Sequence, residues 1–153
     1  YLTDPEGNGI EIYADRDRSA WGWDGKSVRM ATNALNFKDL MATRQPKSGD
    51  WQGAPDGTIV GHVHLRVGDA REAESWWHES MNFDTVAKYG PSAVFLSTGG
   101  YHHHIGANVW HSRGAGPRDL DRTGLGWVEL KSKDGLAKTV SDPWGTEVRV
   151  VPA

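Results

Sequence analysis

The residue order of this chain predicts an α+β fold, strands with one helix of normal length. Three observations carry that reading. Residues 59–83, IVGHVHLRVGDAREAESWWHESMNF, run from a strand through a capped turn into a helix. Residues 84–110 then read as three more strands, so 59–110 has the order strand, helix, strand, strand, strand (βαβββ). Finally, Asp-Pro-x-Gly precedes a strand twice, at Asp4–Gly7 and Asp142–Gly145, which is an internal repeat.

Each element has its own residue-level reason. In residues 1–13, YLTDPEGNGIEIY, a turn at Asp4-Pro5-Glu6-Gly7 leads into an alternating strand, with Ile10 and Ile12 facing one way and Glu11 and Tyr13 the other. Residues 14–58 are rich in Gly, Trp and charge, and only Leu35–Met41, capped by Asn33 or Asn36, reads as helical. Such a segment is unusual inside a compact domain and reads as a linker with a boundary near Gly57. From Ile59 to Val67, His62, His64 and Arg66 alternate with Val63, Leu65 and Val67. Gly68 ends the strand and Asp69 caps a helix at about 69–81. Ala70, Ala73, Trp77 and Met81, widened by Trp76, give that helix an apolar stripe to lay on the Val63/Leu65/Val67 face.

Strands are then expected at Asp84–Tyr89, Ala93–Ser97 and Tyr101–Trp110, separated by Gly90-Pro91-Ser92 and Gly99-Gly100. Residues 111–123 form a polar loop without periodicity. A second unit, 124–153, opens with GLGWVELKS and closes with a strand at Thr146–Val151, but holds only Lys133-Asp134-Gly135 where the first unit has its helix. Val128 and Leu130 would then leave an apolar sheet face bare. Either residues are missing between Lys131 and Leu136, or a neighbouring chain covers that face. The start at Tyr1, straight into strand-like sequence, reads as an excerpt of a longer protein.

At 153 residues and a net charge of −3, the chain has enough length for one domain with a core. It carries no basic run that would argue for nucleic acid or an anionic membrane. It has neither an apolar run near the roughly 20 residues of a membrane span nor a signal-peptide pattern, and a cytoplasmic location is the expectation. Without cysteine, any metal site must use histidine and carboxylate.

The phrases GHVHLRV, YGPSAVFLSTGGYHHHIGANVW and DPEGNGIEIYADR, with the βαβββ order, resemble the vicinal-oxygen-chelate superfamily of glyoxalases, bleomycin resistance proteins and extradiol dioxygenases. More narrowly they resemble the C-terminal half of bacterial catechol 2,3-dioxygenase-like proteins. The resemblance implies βαβββ modules curled into a half-barrel around a divalent metal, Fe(II) or Mn(II). Residues 1–13 would be the terminal strand of a preceding module, and 59–153 a paired domain with an incomplete fourth module. It implies an oxidoreductase that cleaves a small aromatic or vicinal-oxygen substrate, or a non-catalytic module for small-molecule capture or dimerisation, with a homodimer left open.

On that resemblance His62 matches a metal ligand of this half. Glu11 matches a carboxylate ligand of the preceding pair of modules, whose histidines would lie before Tyr1. The remaining two ligand positions of this half fall on Trp127 and Arg149, with Glu147 two residues earlier. Indole and guanidinium do not ligate cations, so residues 59–153 alone are expected to bind metal weakly or not at all, with Glu11 and His62 in different sites. His64 is a candidate substrate contact. In the run His102, His103, His104, the resemblance favours His103 as acid/base, with His102 and His104 as further candidates; alternation pairs His102 with His104 instead, and a merely polar lining is the competing reading. His78 and His111 read as surface groups, Glu129 as a solvated carboxylate, and Trp76 and Trp77 as core.

Overall fold

The computed structural model describes residues 1–43, 50 and 52–153. The predicted helix is α2, Ala70–Met81. Its first turn is closed by Asp69, whose carboxylate accepts from the Arg71 and Glu72 N–H groups at 2.7 and 3.1 Å. It ends at Asn82, whose left-handed backbone (φ 54°) suits asparagine. Ala70, Ala73 and Trp77 are buried along one stripe. Trp76 meets Trp77 edge-on at 5.1 Å and is only partly buried.

A four-stranded sheet lies under α2. Its strands are β5 (Val63–Arg66), β6 (Asp84–Tyr89), β7 (Ala93–Ser97) and β8 (Ile105–Asn108), in the order β5-β8-β7-β6. First and last strands are parallel neighbours; the other pairs are antiparallel. This is the βαβββ unit expected over 59–110. β5 is shorter than the predicted Ile59–Val67, although its ladder extends to the Val67 N–H, which donates to Asn108 O at 2.8 Å. β8 is shorter too. Residues 101–104 stand outside it, because Gly99 and Gly100 turn the chain with φ of 64° and 67°, values that glycine adopts without a Cβ penalty.

The second unit holds β9 (Trp127–Ser132), β10 (Lys138–Ser141) and β11 (Glu147–Pro152), in the order β10-β11-β9. Again the first and last strands are parallel and the penultimate one is antiparallel. Three residues at 133–135 replace the helix, yet the face that carries Val128 is covered. Val128, Trp144 and Val148 join the buried cluster that holds Trp77, Leu96 and Ile105, with Leu130 and Val140 packed on its edge, and Lys138 Nζ donates to the α2 carbonyl of Ser80. The bare face on which the expectation of missing residues or a covering chain rests is not found at Val128, which is buried against the first unit. One core serves both units, so the second needs no helix of its own.

The remaining elements are short. β1 (Leu2–Thr3) and β2 (Gly9–Ile10) form a ribbon around the Asp4–Gly7 turn, where the Asp4 carboxylate accepts from the Glu6 and Asn8 N–H groups. Pairing stops at Ile10, and Glu11–Asp15 pair with no strand among the described residues. A 3-10 turn at Arg18–Ala20 and a ribbon of β3 (Trp23–Asp24) and β4 (Ser27–Val28) follow. Val28 is buried in a second cluster with Val86, Ala93 and Phe95, so this part of the expected linker is fastened to the outer sheet face. α1 (Phe37–Ala42) is capped by Asn36. The linker residues 44–49 and 51 lie outside the described residues. Among the described residues, no helix is long and apolar enough to cross a membrane.

Candidate metal centre

Strand alternation sets the base of the site. Leu65 and Val67 are buried under α2, which turns His64 and Arg66 to the other face. His62 precedes β5 and its side chain is only 6% exposed. Residues 11–15 cross above it in extended form, so Glu11, Tyr13 and Asp15 meet the histidines at two-residue intervals. Two glycines make room. A Cβ on Gly61 would lie 1.9 Å from the Tyr13 hydroxyl, and one on Gly106 would lie 3.1 Å from the His64 ring.

The polar atoms form two chains, each ending on a carboxylate. In one, Tyr101 and Tyr13 hydroxyls are 3.2 Å apart, Tyr13 Oη is 2.9 Å from His62 Nδ1, and His62 Nε2 is 3.0 Å from Glu11 Oε2. In the other, His64 Nε2 is 3.3 Å from His103 Nε2, His103 Nδ1 is 2.9 Å from His102 Nδ1, and His102 Nε2 is 3.0 Å from Asp15 Oδ1. An ionised carboxylate only accepts, and a neutral imidazole has one donor and one acceptor. With every ring neutral, the directions follow. His102 Nε2–H donates to Asp15, His103 Nδ1–H to His102, and His64 Nε2–H to His103, which leaves His64 Nδ1 as a free acceptor. Likewise Tyr13 O–H donates to His62 Nδ1 and His62 Nε2–H to Glu11. The chains pack on each other: His62 and His103 ring centres are 4.3 Å apart.

Burial sets the protonation of the interior of the cluster. His103 is 7% exposed; burial first, then the surrounding histidines, pushes its pKa down to about 3, so it is neutral at ordinary pH. Burial lowers His64 as well, opposed in part by Glu11. Burial holds the Tyr101 phenol proton well above its usual range, reinforced by Tyr13 and Asp15.

Of the residues expected from sequence, Glu11, His62, His64, His102 and His103 come together. His104 does not. Its Nδ1 faces Ser97 Oγ at 3.0 Å, and its ring lies between Tyr101 and Phe83. Alternation had paired His102 with His104, but 101–104 is a bend rather than a strand, and His102 and His103 turn the same way. Glu11 and His62, expected in separate sites, lie within hydrogen-bond distance of each other. His78 is exposed as expected, held to Thr85 Oγ1. Trp127 and Arg149 stand together elsewhere: the guanidinium lies 4.0 Å over the indole and pairs with Glu147. Tyr13, Asp15 and Tyr101 were not among the sequence candidates. The alternation that puts Tyr13 beside Glu11, carried on to Asp15, was the available signal.

The donors fit a metal ion. Glu11, His62 and His64 each offer a ligand atom within 4.8 Å of the others, and so do His62, His102 and His103. Adjacent ligands at about 2.1 Å from an octahedral ion lie about 3 Å apart, which matches the 3.0 Å between His62 Nε2 and Glu11 Oε2.

No family model matches the sequence. The chain is 44% identical over 134 residues to catechol-2,3-dioxygenase of Bacillus subtilis (strain 168), a match that covers 85% of this chain and 46% of that protein. The chain thus spans about half the length of the curated relative it matches. Two solved structures are similar in outline. Lactoylglutathione lyase from Agrobacterium tumefaciens is 14% identical with a TM-score of 0.46, covering 65% of this chain and 96% of that one. A possible glyoxalase from Bacillus cereus is 13% identical with a TM-score of 0.44, covering 62% and 99%.

Proposed function

We propose that this chain, a homologue of catechol-2,3-dioxygenase in the vicinal-oxygen-chelate superfamily, is part of a metal-dependent dioxygenase that opens a catechol-type ring beside its paired hydroxyls. The observation that carries this reading is the convergence of one carboxylate and two histidines, Glu11, His62 and His64. Such a set is the facial triad of non-haem Fe(II) oxygenases, so Fe(II), with Mn(II) as the alternative, is the ion these residues would hold. When bound, the ion would supply Lewis acidity toward two neighbouring substrate oxygens, with coordination space left over for dioxygen. In this reading residues 1–13 end a preceding module, 14–58 link it onward, and 59–153 form a paired domain whose sheets curve around the site.

The chain's own residues orient and move protons. To offer Nε2 to the ion, His62 would move its proton to Nδ1 and donate it to Tyr13 Oη, 2.9 Å away; an outer partner of this kind fixes ring orientation. Asp15 aligns His102, and His102 aligns His103. His103, neutral through burial, is placed to exchange a proton with a substrate hydroxyl at Nε2 once His64 is engaged elsewhere. Trp21 and Tyr101 pack against His102 with their rings tilted to it, centres 5.1 and 4.1 Å away.

One observation favours a second reading. The positions that the resemblance gives to the fourth module's ligands hold the Trp127–Arg149 stack, as suits a module that captures small molecules without turnover. Metal analysis and oxygen uptake with catechol separate the two. Iron or manganese near one per chain, with catechol-dependent uptake lost in Glu11→Ala and His62→Ala, supports the dioxygenase. Metal-free protein that still binds catechol supports the capture module.

A further inference from the structure

The histidine run gives the chain a second set of donors beside Glu11, His62 and His64. His62, His102 and His103 each present a ring nitrogen within 4.8 Å of the other two, and this set contains no carboxylate. Two of its nitrogens already converge, since His102 Nδ1 and His103 Nδ1 lie 2.9 Å apart. Nitrogen ligands at about 2.0–2.1 Å from a tetrahedral ion stand about 3.3 Å from each other, so these two need part by only a few tenths of an ångström. The His62 ring closes the set, its centre 4.3 Å from that of His103 and 6.0 Å from that of His102.

The partners of these rings suit ligation. Asp15 Oδ1 lies 3.0 Å from His102 Nε2, so the carboxylate accepts the Nε2–H and the Nδ1 lone pair is left for an ion. A carboxylate behind an imidazole in this way orients the ring and raises its basicity toward a metal. His103 frees its own Nδ1 by carrying its proton on Nε2, from which it donates to His64 Nε2, 3.3 Å away. His64 then holds its proton on Nδ1. Every ring stays neutral through this change, and no proton is left over.

We infer that His62, His102 and His103 form a second, all-nitrogen metal site that takes a borderline ion such as Zn(II), and that its occupation excludes the ion of the Glu11 site. A neutral imidazole offers one lone-pair nitrogen, so His62 serves one ion at a time. Imidazole suits Zn(II), Cu(II) and Ni(II), whereas carboxylate suits Mn(II), and the two sets sort ions by chemistry as well as by position. Zinc at the histidines would take both His62 and His103 from the dioxygenase centre, which makes this site a switch to an inactive form. The Glu11 end of the inference rests on the proposed function; the histidine end stands on its own geometry.

The test needs no turnover. The metal-stripped full chain is titrated with Mn(II) and, separately, with Zn(II) against a chelating indicator, and release of bound Mn(II) by added Zn(II) is followed by electron paramagnetic resonance. Glu11→Ala should weaken Mn(II) binding at least about 10-fold and leave Zn(II) binding unchanged. His102→Ala should do the reverse. Asp15→Asn, a milder change, should weaken Zn(II) by about 10- to 100-fold, the range lost with an outer partner, with Mn(II) unmoved. Zn(II) added at one equivalent per chain should expel Mn(II) from the wild type. Zinc affinity that falls with Glu11→Ala as far as with His102→Ala, or that survives both His102→Ala and Asp15→Asn, overturns the histidine site. Mn(II) that stays bound beside a full equivalent of Zn(II) overturns the exclusion. If neither Mn(II) nor Fe(II) binding depends on Glu11 while Zn(II) binding depends on His102, the proposed function fails and the histidine site stands.

Discussion

Glu11 Oε2 lies 3.0 Å from His62 Nε2 although they are 51 positions apart, and this contact joins two groups that the sequence assigns to different sites. Replacing either residue should therefore cost the same property. Glu11→Ala and His62→Ala are each expected to lower divalent-metal affinity at least 10- to 100-fold, the range lost even for outer-shell partners. The double variant should be little worse than either single one, because both belong to one unit. Competition titration of Fe(II) or Mn(II) against a chelator measures this. Metal affinity lost in one variant and intact in the other would restore two separate sites.

Gly61→Ala should disturb the site while sparing the fold. The new methyl would meet the Tyr13 hydroxyl at 1.9 Å, and the flexible tyrosine gives way before the backbone does. The loss is one hydrogen bond, about 1 kcal/mol. Nitrogen NMR should show His62 Nδ1 losing its donor. An unchanged Nδ1 resonance would mean that Tyr13 does not hold that ring.

Trp77 is 1% exposed at the centre of the shared core. Trp77→Ala is expected to cost about 3–5 kcal/mol by loss of packing and creation of a cavity. Denaturant unfolding measures it, and a loss under about 1 kcal/mol would mean that α2 is not docked as described.

Asp142 is buried, and its Oδ1 accepts from the Trp144 and Thr146 N–H groups at 3.0 and 2.7 Å. Asp142→Ala strands two buried donors at a cost of about 1–3 kcal/mol. Asp142→Asn keeps the acceptor, and because burial already raises the Asp142 pKa, the neutral amide should be tolerated. Thermal denaturation should rank wild type and Asn close together, with Ala well below; Ala equal to Asn would remove the turn's acceptor from the account.

In metal-free protein, acid should destabilise the fold through His103. Its folded pKa, about 3, lies below the ordinary 6.5. Above pH 6.5 neither state is protonated and stability is full. Below it the unfolded imidazole binds a proton that the folded one refuses, so stability falls until pH nears 3, with a limiting slope of about 1.4 kcal/mol per pH unit. His64 and His104 are shifted in the same direction and add to the loss. Urea midpoints at intervals from pH 8 to 4 should fall, less steeply in His103→Asn; a flat profile in wild type would contradict a neutral buried imidazole.

What the sequence determined by itself is local. The alternation of His62, His64 and Arg66 with Val63, Leu65 and Val67, the Asp69 cap, the Ala70/Ala73/Trp77 stripe and the two Asp-Pro-x-Gly turns all rest on residues within one or two turns of chain. Backbone geometry alone relates such neighbours. Tertiary structure decided the pairing of Glu11 with His62 and of Asp15 with His102, 87 positions apart, because nothing in local geometry ranks one distant partner over another. It also decided which histidines face inward. Gly99 and Gly100 take the chain out of the strand before His102, so alternation ceases to apply where it was needed. Coverage of Val128 was likewise decided at a distance: the core built under α2 extends to β9 and β11, so a helix missing from one unit is replaced by packing against the other.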